Sequence, residues 1–171
     1  MKDYSLLINE EQLRLYTPIS GTFDWAYITP HIITAQDKDI QPLIGQPLFQ
    51  RLLTGIVDEV LTDNEKLLLN DYIAKTLANW AGYHAYPFLS SKLVQSTLAK
   101  IETDESSPVD FDEAQSLSYR LKATANFYSE RLRDYLTNNT DLFPLFETDT
   151  DGELEQSNDK THTFGFNLEN D

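Results

Sequence analysis

The chain contains no cysteine, which excludes disulfides, thiolate metal ligands and thiol nucleophiles while leaving the redox compartment open. It also lacks any apolar run approaching the roughly eighteen residues of a membrane-crossing helix, so no transmembrane span is expected. Met1-Lys2-Asp3 leads straight into the amphipathic stretch LLINEEQLRLY without a long apolar core, so no secretory signal is expected and synthesis in the cytoplasm is. Basic clusters are missing along the sequence: 13 Lys and Arg stand against 28 Asp and Glu, a net charge of −15. A duplex binder needs a basic stripe to displace counterions, so this field excludes ordinary nucleic-acid binding. Repulsion of that kind would still suit a protein past which DNA must slide without sticking. The phosphate-cradling patterns GxGxxG and GxxxxGKS/T do not occur, and no internal repeat of fixed period is found.

What is present is a well-patterned apolar framework. At 171 residues, with 40% hydrophobic and 12% aromatic residues, the chain can build one domain with a real core. Between residues 28 and 53 it reads ITPHIITAQDKDIQPLIGQPLFQRLL. The sequence predicts a helix capped by Thr29 and starting at Pro30, since proline has no N–H to orphan there. Ile32, Ile33, Gln36, Ile40, Leu43 and Ile44 recur at spacings of three and four and share one face. Gly45 stops that helix at positive φ, and Gln46-Pro47 opens a second one with Leu48, Leu52, Leu53, Ile56, Val57 and Val60 turned inward.

The flanks follow the same logic. Asn9 is positioned to cap a short helix over 9–16 with Leu13 and Tyr16 inward, and Phe23, Trp25 and Tyr27 alternate as a short extended stretch. Thr62-Asp-Asn-Glu65 is a capping box that opens a long helix to about Leu89, with Pro87 fraying its last turn. Leu93 to Ile101, richer in β-branched residues, reads as a small β-arm before the acidic loop ETDESSP. A second box, Asp110-Phe-Asp-Glu113, opens another long helix whose Ala114, Leu117, Leu121, Ala125, Tyr128, Leu132 and Tyr135 form a near-heptad seam ended by Asn138-Asn139. The expected architecture is all-α: a bundle of four to five helices over residues 1–146, with a β-arm, followed by an extended acidic tail over 147–171. The tail carries eight acids against one lysine and is expected to be disordered when free, yet it ends in HTFGFNL.

Candidate chemistry is sparse. In the tail, Glu147, Asp149, Asp151, Gly152 and Glu153 follow the first positions of a calcium-binding loop, which makes Asp149, Asp151 and Glu153 the calcium candidates. The twelfth position is Asn158 instead of the bidentate Glu, and an acidic linker produces alternating carboxylates readily. His31, His84 and His162 lie outside metal-ligand spacing of one another; His84 falls on an apolar helix face and reads as a hydrogen-bonded core histidine, His31 as an exposed first-turn residue. Asp37, Asp39, Glu59 and Glu130 are spaced as on any solvated helix, and Ser90, Ser91, Ser116 and Ser118 have no local base. Tyr119, Arg120, Arg131 and Arg133 suggest RNA stacking on one helix, but interleaved Glu130 and Asp134 favour intrahelical or intersubunit salt bridges. No catalytic residue, cofactor or resident metal is expected.

Three ordered segments carry a resemblance: ITPHIITAQDKDIQPLIGQPLFQRL, NDYIAKTLANWAGYHAYPFLSSKL and ATANFYSERLRDYLTNNTDLFPLF. Their order and spacing over residues 5 to 146 are similar to the phage head–tail connector family, the helical adaptors that ring the portal, in particular those of crAss-like and other Bacteroidetes phages. The resemblance implies a non-enzymatic virion protein at the head–tail interface. It implies a homo-oligomeric ring of about a dozen copies, joining the portal to the next tail component while DNA passes through the lumen. Leu93, Val94, Leu98 and Ile101 of the arm, with Phe143, Phe146, Phe164 and Phe166, are then the expected partner anchors. The competing class is an acidic cytoplasmic helical-bundle binding protein, an inhibitor or DNA mimic that covers a basic surface.

Overall fold

The computed structural model describes the backbone of residues 5–18, 24–100 and 111–146, and side chains within them except at 89–100 and 111–115. These residues form five continuous helical rods with no strand among them, an all-α bundle. Helix α1 (Glu10–Tyr16) begins at a complete capping box: Asn9 Oδ1 accepts the Gln12 N–H, and the Gln12 side chain accepts the Asn9 N–H. The second rod runs through α2 (Trp25–Ala35), a π-helical turn (Gln36–Ile40) and α3 (Gln41–Ile44). Its start differs from the expected one. Asp24, not Thr29, is the cap, accepting the Ala26 N–H at 3.0 Å, so Trp25 and Tyr27 are helical and not extended. Pro30 lies inside the helix, while Thr29 donates its hydroxyl to the Trp25 carbonyl. Burial of Ile28, Ile32 and Ala35 on one continuous face outweighs the local preference of proline for a first turn.

Gly45 makes the elbow at φ 81° and ψ 149°, a region that only glycine enters without strain. Helix α4 (Gln46–Val57) restarts at Pro47 and buries Leu48, Phe49 and Leu52. Val57 and Val60, expected inward, are 63% and 55% exposed, because the helix ends at Val57 and the chain turns through Glu59 at φ 56°.

The fourth rod is the axis of the bundle. It starts at the Thr62–Glu65 capping box and passes through α5 (Asp63–Leu67), a second π-turn (Leu68–Ile73) and α6 (Ala74–Lys100). It packs on α1, α2, the first π-turn and α7 (Phe111–Asn138). Its inner face is Ala74, Leu77, Ala78, Ala81 and Ala85, all fully buried; alanines at a crossing let helix axes approach to about 8 Å. The expected end at Leu89 and the β-arm beyond it are overturned. Helix α6 continues past Pro87 to Lys100, so Leu93, Val94 and Leu98 are helical, while Ile101 lies outside the described residues. The cause is a long-range partner. Tyr72 stacks on Tyr135 at 4.0 Å, Trp80 Nε1 donates to Ser129 Oγ at 3.0 Å and Lys122 lies over the Tyr83 ring. This antiparallel register sets about 89–96 level with the first two turns of α7, and helix pairing overrides β propensity.

The seam of α7 follows its expected spacing, with Leu121, Ala125 and Leu132 buried, Leu136 added, and Tyr128 and Tyr135 half-buried; the helix ends at Asn138. The cap at Asp110 lies outside the described residues, as does the tail from Glu147 onward.

Candidate functional site

Polar clasps tie each arm of the elbow to another segment, and Gln41 donates its side-chain amide to Gln46 across the elbow itself. Gln36, fully buried in the first π-turn, accepts the Leu7 N–H through Oε1 at 2.7 Å and donates Nε2 to the Ser5 carbonyl at 3.3 Å. One side-chain amide therefore completes the backbone bonding of the extended segment before α1. The sequence placed Gln36 on the apolar face, and a buried polar residue amid isoleucines was the signal of a long-range partner.

Arg51 and Glu65 form a two-pronged pair joining α4 to α5, with Nε–Oε1 at 2.8 Å and Nη2–Oε2 at 2.9 Å; Arg51 also donates to the Val60 carbonyl. Glu65 Oε2 meanwhile accepts the Thr62 N–H at 2.7 Å, so the capping box and the inter-helix pair share one carboxylate. Beside the elbow lies an open groove of about 630 Å³ lined by Ser5, Asp37, Gln46, Phe49, Leu53 and Val57 among others.

A second polar line crosses three rods. His84 Nε2 meets Asp39 Oδ2 at 2.7 Å, the two side chains 15% and 11% exposed, tying α6 to the first π-turn. The imidazole stacks on Trp80, whose indole N–H continues the line to Ser129 of α7. His84 is thus hydrogen-bonded in the interior as expected, although its partner 45 residues away was not visible. His31 departs from expectation: it is half-buried, its ring 4.9 Å from that of Phe88. Burial first, and then the charge of His84, hold its pKa below 6.5. Among the described residues no buried side-chain polar atom lacks a partner and no group of three His, Cys, Asp or Glu is arranged to hold a metal.

The partner anchors fare unevenly. Phe143 is 2% exposed and packs against Tyr135 inside the chain's own core, which corrects its expected role as a contact for neighbours. The turn after α7 folds the aromatic back under the bundle end, where Phe146 is half-buried beside it. Leu142 and Leu145 are the residues of this turn that stay open, 48% and 42% exposed. Side-chain surroundings of Leu93, Val94 and Leu98, and the placement of Phe164, Phe166, Asp149, Asp151 and Glu153, lie outside the described residues. On α7 the intrahelical ion pairs expected of Glu130 and Asp134 do not form among the described residues; Arg131 instead lies over the Phe127 ring, 5.9 Å from its centre.

The fold and these clasps define an all-α bundle whose described helices include none long and apolar enough to cross a membrane. The chain belongs to the DUF6712 family, a family of unknown function, whose profile matches residues 40–154. That span opens at Ile40 in the first π-turn, takes in the elbow and the α6–α7 hairpin, and runs past residue 146 into the acidic tail. No curated protein and no solved structure matches the chain.

Proposed function

We propose that this protein is a structural component of a phage virion, a head–tail connector that assembles as a ring of about a dozen copies between the portal and the next tail component. The observation that carries the reading is the contrast between interior and flank. Interior polar groups are satisfied within the chain, whereas Tyr119 and Phe127 on α7 and Leu142 and Leu145 beyond it remain large, apolar and 42–62% exposed. Leu142 and Leu145 sit together in the turn after α7, and apolar side chains left open at a bundle end favour cover by a neighbour. The likeness of the three ordered segments to portal adaptors supports the same reading, and the net charge of −15 suits a lumen that passes DNA without gripping it.

Mixing the protein with the portal encoded by the same genome and imaging the product tests this directly. Ring density on the portal is the expected result; bare portals, together with absence of the protein from virions, would end the connector reading. Removing residues 147–171 is expected to leave the helical signal of the bundle intact and to lower incorporation into particles. Buried aromatic anchors at interfaces contribute roughly 2 kcal/mol or more each, and Phe164 and Phe166 lie in that segment. The acid-rich composition gives a second reading, an acidic binding protein for a basic surface. It predicts a monomer or dimer by light scattering and capture of a basic partner, with no ring on the portal.

A further inference from the structure

The charge of this chain is segregated. From Tyr72 to Ile101 there are three lysines, Lys75, Lys92 and Lys100, and no acid, while α7 between Ala114 and Arg133 holds Arg120, Lys122, Arg131 and Arg133 against Glu130 alone. The antiparallel register of α6 and α7 brings about residues 74–93, with Lys75 and Lys92, level with 114–133 in a molecule that is otherwise strongly acidic. On α7, Arg120, Thr124, Phe127 and Arg131 follow one another at spacings of four, three and four and form one exposed stripe alongside the buried seam. All four are exposed, and Arg120 and Arg131 enter no ion pair among the described residues even though Glu130 and Asp134 flank the stripe. Phe127 is 53% exposed with the Arg131 guanidinium over it, an aromatic and cationic platform on the surface of a chain of net charge −15.

We infer that this stripe is the docking surface for the chain's own C-terminal segment, residues 147–171, with Arg120 and Arg131 receiving its carboxylates and Phe127 receiving a ring from Phe164-Gly165-Phe166. Charge complementarity selects the occupant: the segment bears eight acids and one lysine and ends in the two phenylalanines. The tether permits it. The described chain ends at Phe146, packed against the bundle core near the C-terminal end of α7. The segment can extend to roughly 80 Å, whereas Arg120 to Arg131 spans only about 16 Å of helix. Covalent attachment also presents the acids at an effective concentration on the order of millimolar, enough to favour a contact that separate molecules would make weakly. The inference does not depend on ring assembly.

The lack of native cysteine allows a clean test on the full-length chain. A nitroxide is attached at Thr124→Cys in ¹⁵N-labelled protein, and paramagnetic broadening of the Phe164 and Phe166 amides is read. These amides are expected to lose most of their intensity at every protein concentration, and to recover it in the Arg120→Ser, Arg131→Ser double variant and in high salt. A separate Phe127→Ser variant is expected to restore the two phenylalanine amides more than the acidic ones. Unbroadened tail amides overturn the proposal, as does broadening that survives the double arginine substitution in a protein with unchanged circular dichroism. Broadening seen only between labelled and ¹⁵N copies in a mixture would assign the stripe to the tail of a second copy and overturn the intramolecular contact. Duplex DNA protecting the stripe while the tail amides stay sharp would assign it to nucleic acid instead.

Discussion

Asp39 and His84 couple two helices through a single short hydrogen bond, and replacing His84 by alanine leaves an interior carboxylate without its partner. The expected loss is about 1–3 kcal/mol of unfolding free energy in urea titrations, the range for stranding one buried polar group. The neighbouring His31 gives the pair a pH signature. Its pKa is held below 6.5 in the folded protein, so the unfolded chain takes up that proton more readily. Stability is therefore whole above about pH 6.5 and declines as pH falls through the lower folded value. Melting curves from about pH 7 to 5 should fall less steeply for His31→Gln than for the parent chain; identical slopes would show that His31 carries none of the dependence. At Gly45 the backbone angle itself is the constraint, and Gly45→Ala is expected to cost about 1–3 kcal/mol through strain at positive φ with the same fold retained. The existence of these residues was legible in the sequence but their partnerships were not. His84 sat visibly on an apolar face, whereas nothing local could name Asp39, which comes from another helix 45 residues earlier.

The side-chain caps at Asn9 and Thr62 were read correctly from sequence, whereas the equally local cap at Asp24 was missed. Asn9 and Thr62 each bond to a backbone N–H three residues on, so the information that starts α1 and α5 is contained within one turn. Two element limits were misread, the start of α2 and the end of α6. Pro30 looked like a first helical residue until the burial of Ile28 and the cap at Asp24 moved the start of α2 upstream. The β-branched stretch after Leu89 looked like a strand until α7 supplied a helical partner for it. The candidate site was divided in the same way: Gln36 was seen, but its clasp on Ser5 and Leu7 was not, because a side chain completing the bonds of an extended segment leaves no local pattern. Substituting Gln36→Leu should preserve the second rod and release the segment before α1, read as loss of hydrogen-exchange protection at the Leu7 amide. Two backbone groups lose their partner at once, at about 1–3 kcal/mol each if they remain buried.

Across the whole molecule, composition and three-dimensional charge tell different stories. A net charge of −15 suggested uniform repulsion, yet residues 72–101 carry lysines and no acid, and Arg120 and Arg131 share one stripe of α7. If a ring forms, the stripe of one copy can accept the tail of the next with the contacts unchanged and only the chain identity exchanged, the logic of a domain swap. Titrating salt against assembled portal complexes should then loosen the ring before it melts the bundle, and simultaneous loss would separate assembly from this surface.

The two π-turns carry a further consequence. Each is a helix holding one residue more than its α-helical hydrogen bonding needs, closed by bonds from Gln41 to Gln36 and from Ala74 to Leu69. They act as phase adjusters, each turning everything upstream by about 100° relative to everything downstream. Deleting a single residue from either would give a better helix and a worse protein. Gln36 would swing off Ser5 in one rod, and in the other Glu65 would swing off Arg51. Length variation in such rods is therefore expected to be tolerated in the loops and forbidden within these two turns.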